Sequence, residues 1–330
     1  MKEFDITDYN LIVDSPGRIN IIGEHTDYNN GFVLPTAIDK KIRFMFRKNG
    51  NEGICTVHSK YFDANFSFEL KKVKKSKQQW ENYILGVVHE IQQLSDKLEG
   101  FDCVLDSDIP VGSGIGSSAA LECGLAYGLN ELFNLKLSKQ SIVELSQRAE
   151  HNYVGTKCGI MDQFASVMSK KDHVILLDCQ SLEFEYVPIK IEPYKILLLN
   201  TNVSHNLASG EYNLRRSQCE KGVEIIKQKY PEVNSLRDVS KKMLNESKSA
   251  LSSVIYDRCS YVVEEQQRVL NSVIALKNNK LGDLGKYMYE THDGLQNKYE
   301  VSCPELDFLV DFSKNFEAVI GARMMGGGFG

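Results

Sequence analysis

Residues 109–120, Ile109-Pro-Val-Gly-Ser-Gly-Ile-Gly-Ser-Ser-Ala-Ala120, lie between a predicted strand and a predicted helix. Residues 101–105 before them have the apolar content of a short buried strand. After them, leucines at positions 121, 125, 129 and 132 recur at helical spacing and predict a helix from near Ser117 to Phe133. The first turn of a helix carries unpaired N–H groups and the positive end of the helix dipole. Glycines before such a turn let the main chain approach an anion, so this stretch predicts a nucleotide-phosphate site.

This glycine loop matches neither of the commonest phosphate-binding motifs. It lacks the Gly-Lys-Ser/Thr ending of the P-loop, and it is not a G-x-G-x-x-G sequence followed by a ribose-binding acid. The alternative interpretation is a glycine–serine turn capped by Ser117. A cap requires only one serine, however, so a second hydroxyl remains for a phosphate or for its Mg²⁺.

The length and composition of the chain indicate the class of protein to which it belongs. A chain of 330 residues suits two domains, and 42% hydrophobic with 25% charged residues is ordinary for a globular protein. The net charge of −5 argues against nucleic acid as a partner, and the basic run at residues 71–77 is interpreted as a solvated loop.

Cysteine usage and the N-terminus predict a cytoplasmic location. The eight cysteines form no C-x-x-C pair, which suits a reducing compartment better than a disulfide framework. The first residues, Met1–Asp5, have no apolar core for a signal peptide, and no apolar run is long enough to span a membrane. Zinc is not expected either, because the histidines and cysteines lack ligand spacing.

Hydrophobic patterns predict an α+β chain with a domain boundary near residue 190, giving domains 1–190 and 191–330. Predicted strands are 11–13 and 19–22 (separated by a turn at Ser15–Gly17), 32–34, 42–46, 54–57, 66–68, 101–105, 174–177, 184–189, 196–199 and 318–322. Predicted helices are 80–98, 117–133, 139–153, 161–168, 212–229, 256–278, 280–295 and 304–315.

Polar residues cluster in two further stretches. Gly17–Tyr28 (GRINIIGEHTDY) passes from an apolar strand into a run of donors and acceptors, as a ligand with several hydroxyls requires. Glu150–Gln163 (EHNYVGTKCGIMDQ) carries two acids, and a carboxylate can accept the proton of an alcohol during phosphoryl transfer. The alternatives are a polar surface loop, a helix cap at Asp162 and an exposed acid at Glu150.

With these motifs and the C-terminal Gly321–Gly330 (GARMMGGGFG), the whole chain resembles the GHMP kinases, which phosphorylate sugars and alcohols. Gly17–Tyr28 resembles the galactokinase signature of that family. The resemblance implies a ribosomal-S5-domain-2-like N-terminal domain, a ferredoxin-like C-terminal domain and an active site in the cleft between them. It also implies further strand and helix after Gly330, so we expect a truncated C-terminus.

The resemblance also assigns roles to residues. It makes Asp162 the catalytic base, Arg18 the stabiliser of the transferring charge, and Ser118 and Glu150 the Mg²⁺ ligands. Residues assigned to substrate binding are Glu24, His25, Thr26, Asp27, Gly159 and Tyr212. The alternative for Tyr212 is a packing residue. Residues assigned to the phosphates of ATP are Gly112, Ser113, Gly114, Ile115, Gly116, Ser117 and Ser118. The sequence departs from the family at Ser260 and Tyr261, where an Arg-His pair is usual.

The expected activity is transfer of the γ-phosphoryl group of MgATP to the anomeric hydroxyl of galactose by a monomeric enzyme. Two alternatives stay open. One is a sister kinase acting on N-acetylgalactosamine, arabinose or mevalonate, although the 24–27 sequence argues against mevalonate. The other is a non-catalytic sensor of galactose and ATP. Such sensors typically lose residues from the Ser-Ser-Ala-Ala region, which is intact at 117–120.

Overall fold

The computed structural model describes residues 9–110, 112–203 and 208–330 of the chain. By internal contacts it divides into two compact units. The first comprises residues 1–18 and 37–168, and the second residues 19–36 and 169–330. The domain boundary near residue 190 stays a prediction.

The first unit contains a five-stranded sheet in the order β1-β3-β6-β4-β5. Its strands are β1 (Leu11–Asn20), β3 (Pro35–Lys48), β4 (Ile54–Ser59), β5 (Ala64–Glu69) and β6 (Phe101–Ser107). β6 pairs antiparallel with β3, with Phe44 opposite Leu105, and parallel with β4, with Val57 opposite Cys103. The turn predicted at residues 15–17 is wrong. β1 runs unbroken through Pro16 because it is an edge strand, where a residue without an N–H is tolerated.

In the part of the first unit that the structure describes, four α-helices pack on one another. They are α1 (Gln79–Gln92), α2 (Ser117–Phe133), α3 (Lys139–Ala149) and α4 (Met161–Met168). A Cβ atom at Gly124 or Gly128 of α2 would lie 2.2 or 2.0 Å from the ring of Phe44 or Phe46, so the missing side chains let α2 lie directly on β3. Each of these fully buried rings contributes about 1.5–3 kcal/mol through burial. This packing fixes the start of α2, where the glycine loop ends.

Two predicted helices of the first unit end earlier than expected. α1 stops at Gln92 rather than residue 98. α3 stops at Ala149, and the chain continues as a π-helical turn over Glu150–Val154 instead of regular helix to residue 153. Such turns are frequent at functional sites. Here the turn begins at Glu150.

The second unit combines a three-stranded antiparallel sheet, in the order β2-β7-β8, with five helices in its described residues. Its strands are β2 (Phe32–Val33), β7 (His173–Asp178) and β8 (Phe184–Pro188). Its helices are α5 (Ala208–Lys227), α6 (Lys241–Glu246), α7 (Ser253–Lys277), α8 (Leu281–Asn297) and α9 (Pro304–Ser313). Residues of α5, α7 and α8 form its core, in which Tyr261 and Tyr299 are fully buried.

The strands predicted at residues 196–199 and 318–322 are wrong. Both segments have irregular backbone, and Leu197 is 77% exposed. A short apolar run has the pattern of a strand, but a strand also needs a hydrogen-bonding neighbour, which neither run has among the described residues. In the same unit, α5 begins at Ala208 rather than at residue 212, so Tyr212 lies inside the helix.

Candidate active site

The glycine loop before α2 is shaped by three left-handed residues. Gly112, Gly114 and Gly116 have φ angles of +75°, +69° and +74°. Val111 of the same loop lies outside the described residues. The helix begins at Ser117 with Gly116 as its N-cap, and no side chain caps it. The alternative in which Ser117 caps the helix is therefore wrong, because Ser117 is already the first helical residue.

Arg18 connects the glycine loop to Asp162. Its Nη1 donates to the Gly114 carbonyl oxygen at 2.5 Å, and its backbone N–H donates to the Ile115 carbonyl oxygen at 2.9 Å. Nε and Nη2 donate to Asp162 Oδ1 and Oδ2 at 2.7 and 2.5 Å, which makes a bidentate ion pair. Bidentate pairs are strong and directional, so the position of Asp162 is set by the arginine that also supports the loop.

The two side chains of this ion pair differ in their exposure to solvent. The side chain of Arg18 is 5% exposed, whereas that of Asp162 is 25% exposed. Asp162 stands in the first turn of α4, inside the helix rather than as its cap. A carboxylate that is both fixed and accessible can accept a proton from a bound alcohol.

Glu150 lies in a buried group of acids at the π-helical turn. Burial, reinforced by the charge of Asp162, raises its pKa to about 7, although hydrogen bonds from Cys158, Glu122 and Ser118 act in the opposite direction. Burial and the charge of Glu150 raise the pKa of Glu122 well above its usual range. Two buried acids this close resist ionising together, so the group favours a positive charge nearby.

Gln163 links these two acids. Its Nε2 donates to Glu150 Oε2 at 3.0 Å and to Glu122 Oε2 at 3.4 Å. Two buried oxygens of the group, Glu122 Oε1 and Gln163 Oε1, have no hydrogen-bond partner. Within the described residues no three His, Cys, Asp or Glu side chains form a ready metal-binding group. Ser118 and Glu150 offer oxygen donors beside these unsatisfied oxygens. Such a set fits Mg²⁺, whose remaining ligands would be oxygens of phosphates and water.

In the second unit, Glu24 is enclosed by hydrogen bonds. Its carboxylate accepts from Asn20 Nδ2 at 2.5 Å and from the Gly326 N–H at 2.8 Å, and it pairs with Arg323 Nη2 at 3.0 Å. The residue is 1% exposed. Glu24 therefore holds the C-terminal glycine segment against the loop that follows β1.

His25 is fixed in one neutral form. Its Nε2 lies 3.2 Å from the Gly327 carbonyl oxygen, which can only accept, so Nε2 carries the proton and Nδ1 accepts from the Tyr28 hydroxyl at 2.8 Å. Burial lowers its pKa to about 3. The rings of Tyr28, Tyr212 and Tyr299 surround the imidazole with centroids 4.9–5.8 Å away.

Thr26 and Asp27 complete this loop. The Thr26 hydroxyl lies 2.8 Å from the Gly23 carbonyl oxygen and 2.6 Å from the Phe32 carbonyl oxygen, so it closes the loop onto β2. Asp27 is 8% exposed and begins a 3-10 turn. Residues 204–207, which the sequence predicts in a polar loop before Tyr212, lie outside the described residues.

The structure thus brings the predicted residues into two groups. Arg18, Asp162, Ser118 and Glu150 meet at the glycine loop in the first unit. Gly159, in the same unit, is buried. Glu24, His25 and Tyr212 gather at the C-terminal glycine segment in the second unit. Their chemical roles stay predictions.

Sequence reasoning missed the residues that support these groups. In the first unit Glu122 could have been noticed, because it is an acid among the apolar residues near the start of α2, and Gln163 adjoins Asp162. In the second unit Tyr261, Glu265 and Arg323 were assigned no role, because their contacts join parts of the chain far apart in sequence. No helix in the described ranges has the length and apolar character to cross a membrane.

Comparison with protein families gives matches over most of the chain. The GHMP kinases N terminal domain matches residues 82–170, the galactokinase galactose-binding signature residues 1–48, and the GHMP kinases C terminal domain residues 272–330. The galactokinase of Thermosipho africanus is 45% identical over 322 residues, covering 96% of this chain and 86% of that protein. The galactokinase of Thermotoga maritima is 43% identical over 318 residues, with coverage of 96% and 87%.

Solved structures agree in fold. The Lactococcus lactis galactokinase complexed with galactose superimposes with a TM-score of 0.93 at 32% identity, covering 97% of this chain and 83% of that one. An L. major mevalonate kinase in complex with R-mevalonate gives a TM-score of 0.62 at 19% identity, covering 97% and 85%, which shows a shared fold alone. The α+β fold class predicted from the sequence is confirmed.

Proposed function

The chain belongs to the galactokinases of the GHMP kinase family, and from that premise we propose that it transfers the γ-phosphoryl group of MgATP to the C1 hydroxyl of α-D-galactose. The product is galactose 1-phosphate, at the entry to galactose catabolism. The observation that carries the proposal is the double role of Arg18, which binds both Asp162 and the Gly114 carbonyl. One cation thereby supports the base and the phosphate loop together.

The glycine loop binds the polyphosphate. Gly112–Ser118 presents main-chain groups and the uncapped N-terminus of α2, whose dipole favours a negative charge. The Ser118 hydroxyl and the Glu150 carboxylate hold Mg²⁺. When bound, this ion neutralises phosphate charge during phosphoryl transfer. The raised pKa of Glu150 favours the proposal, because a carboxylate that resists ionising alone gains most from a cation.

Asp162 accepts the proton of the attacking hydroxyl. Phosphoryl transfer needs mainly positioning and charge neutralisation, and a general base adds about 10²–10⁴ in rate. Arg18 stabilises the negative charge that develops on the phosphoryl oxygens. Its ion pair with Asp162 orients both groups before the substrates arrive.

The sugar is recognised by Glu24, His25, Thr26, Asp27, Gly159 and Tyr212. The galactokinase signature at residues 1–48 and the galactose complex of the Lactococcus lactis relative support this assignment. Glu24, His25 and Thr26 already have internal hydrogen-bond partners, so we infer that they act by shaping the loop as well as by contact. We further propose a cytoplasmic monomer, consistent with eight free thiols.

A sugar panel tests the function. ADP release is measured with galactose, N-acetylgalactosamine, arabinose and mevalonate, each with MgATP, alongside direct titration of galactose into the protein. Galactose should give the highest kcat/KM. Turnover with another member of the panel and none with galactose would identify a sister kinase. Galactose binding without ADP release would identify a sensor.

A further inference from the structure

We propose that α7 positions the sugar-binding loop through Tyr261 and Glu265, and so sets the affinity for the sugar. Both residues hold main-chain atoms of Gly23 and Glu24 rather than touching the substrate. The inference rests on the proposed function in one respect, that the loop at residues 23–27 binds galactose. The positioning itself is read from contacts within the second unit.

Tyr261 binds the main-chain carbonyl of Glu24. Its hydroxyl donates to the Glu24 carbonyl oxygen at 3.0 Å. The side chain is fully buried, and its ring lies 4.8 Å from that of Tyr299. A buried hydroxyl with a fixed ring has little freedom to bond elsewhere, so the bond restrains the peptide between Glu24 and His25. His25 needs that restraint, because its φ angle is +61°.

Glu265 binds the main-chain N–H of Gly23, at the start of the same segment. Its Oε1 accepts from the Gly23 N–H at 2.8 Å. Its Oε2 accepts from Thr291 Oγ1 at 2.8 Å and from Arg268 Nε at 2.7 Å. The residue is fully buried, and its charge is balanced by Arg268 in an ion pair. The bond to Gly23 is therefore charge-assisted and stronger than a neutral one.

Helix periodicity explains why these residues act together. Tyr261, Glu265 and Val269 are spaced by four residues and occupy one face of α7. A Cβ atom at Gly23 would lie 2.9 Å from Val269 Cγ2 and 2.9 Å from the Phe32 carbonyl oxygen, and Gly23 has a φ angle of +103°. Glycine therefore lets the loop lie on the helix, where the other two residues bind it.

No residue of this helix was assigned a role from the sequence. The two hydrogen bonds hold the Gly23 N–H and the Glu24 carbonyl oxygen, and the Glu24 carboxylate and neighbouring His25 bind the C-terminal glycine segment. Loosening α7 from the loop would disturb all of them.

The test compares two tyrosine-to-phenylalanine variants of one helix. Tyr261→Phe removes the hydroxyl that bonds Glu24. Tyr256→Phe removes a hydroxyl that bonds Asn245 Oδ1 at 2.8 Å on the exposed surface. Galactose affinity is measured by calorimetry without nucleotide, and KM for galactose, KM for ATP and kcat are measured separately. Tyr261→Phe should weaken galactose binding and raise KM for galactose about 3- to 10-fold, with KM for ATP within about twofold of the parent. Tyr256→Phe should match the parent.

Hydrogen exchange supplies a readout that needs no sugar. In Tyr261→Phe, amides of residues 23–28 should exchange faster, while those of α2 should not change. A second variant, Glu265→Gln, loses the charged bond and should lower galactose affinity about tenfold or more.

Unchanged exchange at residues 23–28 and unchanged galactose affinity in Tyr261→Phe would overturn the inference. Equal losses of galactose and ATP affinity would also overturn it, since they indicate general damage. If the parent protein neither binds nor phosphorylates galactose, the proposed function is contradicted instead. The hydrogen-exchange comparison would still decide whether α7 holds the loop.

Discussion

The glycine loop at residues 112–116 and the loop at residues 23–27, which we propose to bind the sugar, both contain glycine at a positive φ angle, but they present different parts of the chain. Gly112 and Gly114 are exposed, and the loop offers main-chain groups and a helix start without a side-chain cap. In the second loop Glu24, His25 and Thr26 are at most 4% exposed, and each side chain has a hydrogen-bond partner in the protein.

This difference indicates two ways to build a binding loop. A polyphosphate is large and charged, so main-chain N–H groups and a dipole suffice once the conformation is right. A sugar is neutral and is distinguished by the direction of its hydroxyls, so the groups around it must be fixed by further side chains. Substitutions should therefore act through conformation in the first loop and through lost partners in the second.

The largest expected effect is at Asp162, the only proposed proton acceptor beside the glycine loop. Asp162→Asn keeps the shape but cannot accept the proton, so kcat should fall by about 10²–10⁴ while binding of galactose and ATP persists. ADP release and calorimetry measure the two effects. Asp102→Asn is the control, because Asp102 also pairs with an arginine, Arg47, at 2.8 Å. It should turn over near the parent rate. Parent-like kcat in Asp162→Asn would remove the base from the mechanism.

The next effect separates main-chain strain from a specific contact. Gly116→Ala and Gly112→Ala both place a side chain at a φ angle near +75°, but only at Gly116 would the Cβ atom meet Arg18, at 2.9 Å from its Cγ. Gly112 has open space around it. Because overpacking costs about 1–3 kcal/mol, Gly116→Ala should have a kcat/KM for ATP about tenfold or more below that of Gly112→Ala. Equal losses would indicate that conformation alone matters and that Arg18 does not support the loop.

The contrast between the loops also explains what the sequence could predict. The glycine loop was predictable because its determinants are local: the glycine spacing, the strand before it and the leucines of α2. The bounds of α2 and α4 are those predicted. Arg18 and Asp162 could be proposed only from the family resemblance, since 144 positions separate them.

For the loop at residues 23–27, the sequence predicted the polar residues but not the side chains that hold them in place. Glu24 depends on Arg323 and Gly326, and the main chain beside it depends on Tyr261 and Glu265. These contacts span more than 230 positions, and no periodicity indicates them. The wrong strands at residues 196–199 and 318–322 have the same cause. Pairing is a tertiary property that an apolar run does not reveal.

A smaller effect concerns stability and tests how firmly the second loop is closed. The folded pKa of His25, about 3, lies below the ordinary value of 6.5 because burial disfavours the charged ring. Between these values the unfolded chain binds the proton more strongly, so this contribution to stability is present above pH 6.5 and is lost as the pH falls. From pH 7.5 to 5.5 the parent should lose about 1.4 kcal/mol more unfolding free energy than His25→Asn.

Urea unfolding at the two pH values measures this difference. Asparagine tolerates the positive φ angle of residue 25, which makes it a suitable replacement. Comparing the variant with the parent cancels the other titrating groups. Among these is Glu150, whose raised pKa gives a slope of opposite sign between its ordinary value of 4.5 and about 7. Parallel curves for the two proteins would mean that the His25 ring is hydrated, and the contrast between an open and a closed loop would then fail.

The smallest effect concerns Ser117, whose hydroxyl does not cap α2 because Gly116 is the N-cap. Ser117→Ala should therefore change the free energy of unfolding by less than about 0.5 kcal/mol. Ser138→Ala should cost about 1 kcal/mol, since the Ser138 side chain accepts from the Ser141 N–H at 3.0 Å and caps α3. If Ser117→Ala nevertheless weakens MgATP binding, its hydroxyl serves the ligand rather than the fold. If both variants lose the same stability, Ser117 contributes to the helix start, and the glycine loop depends on side chains as the sugar-binding loop does.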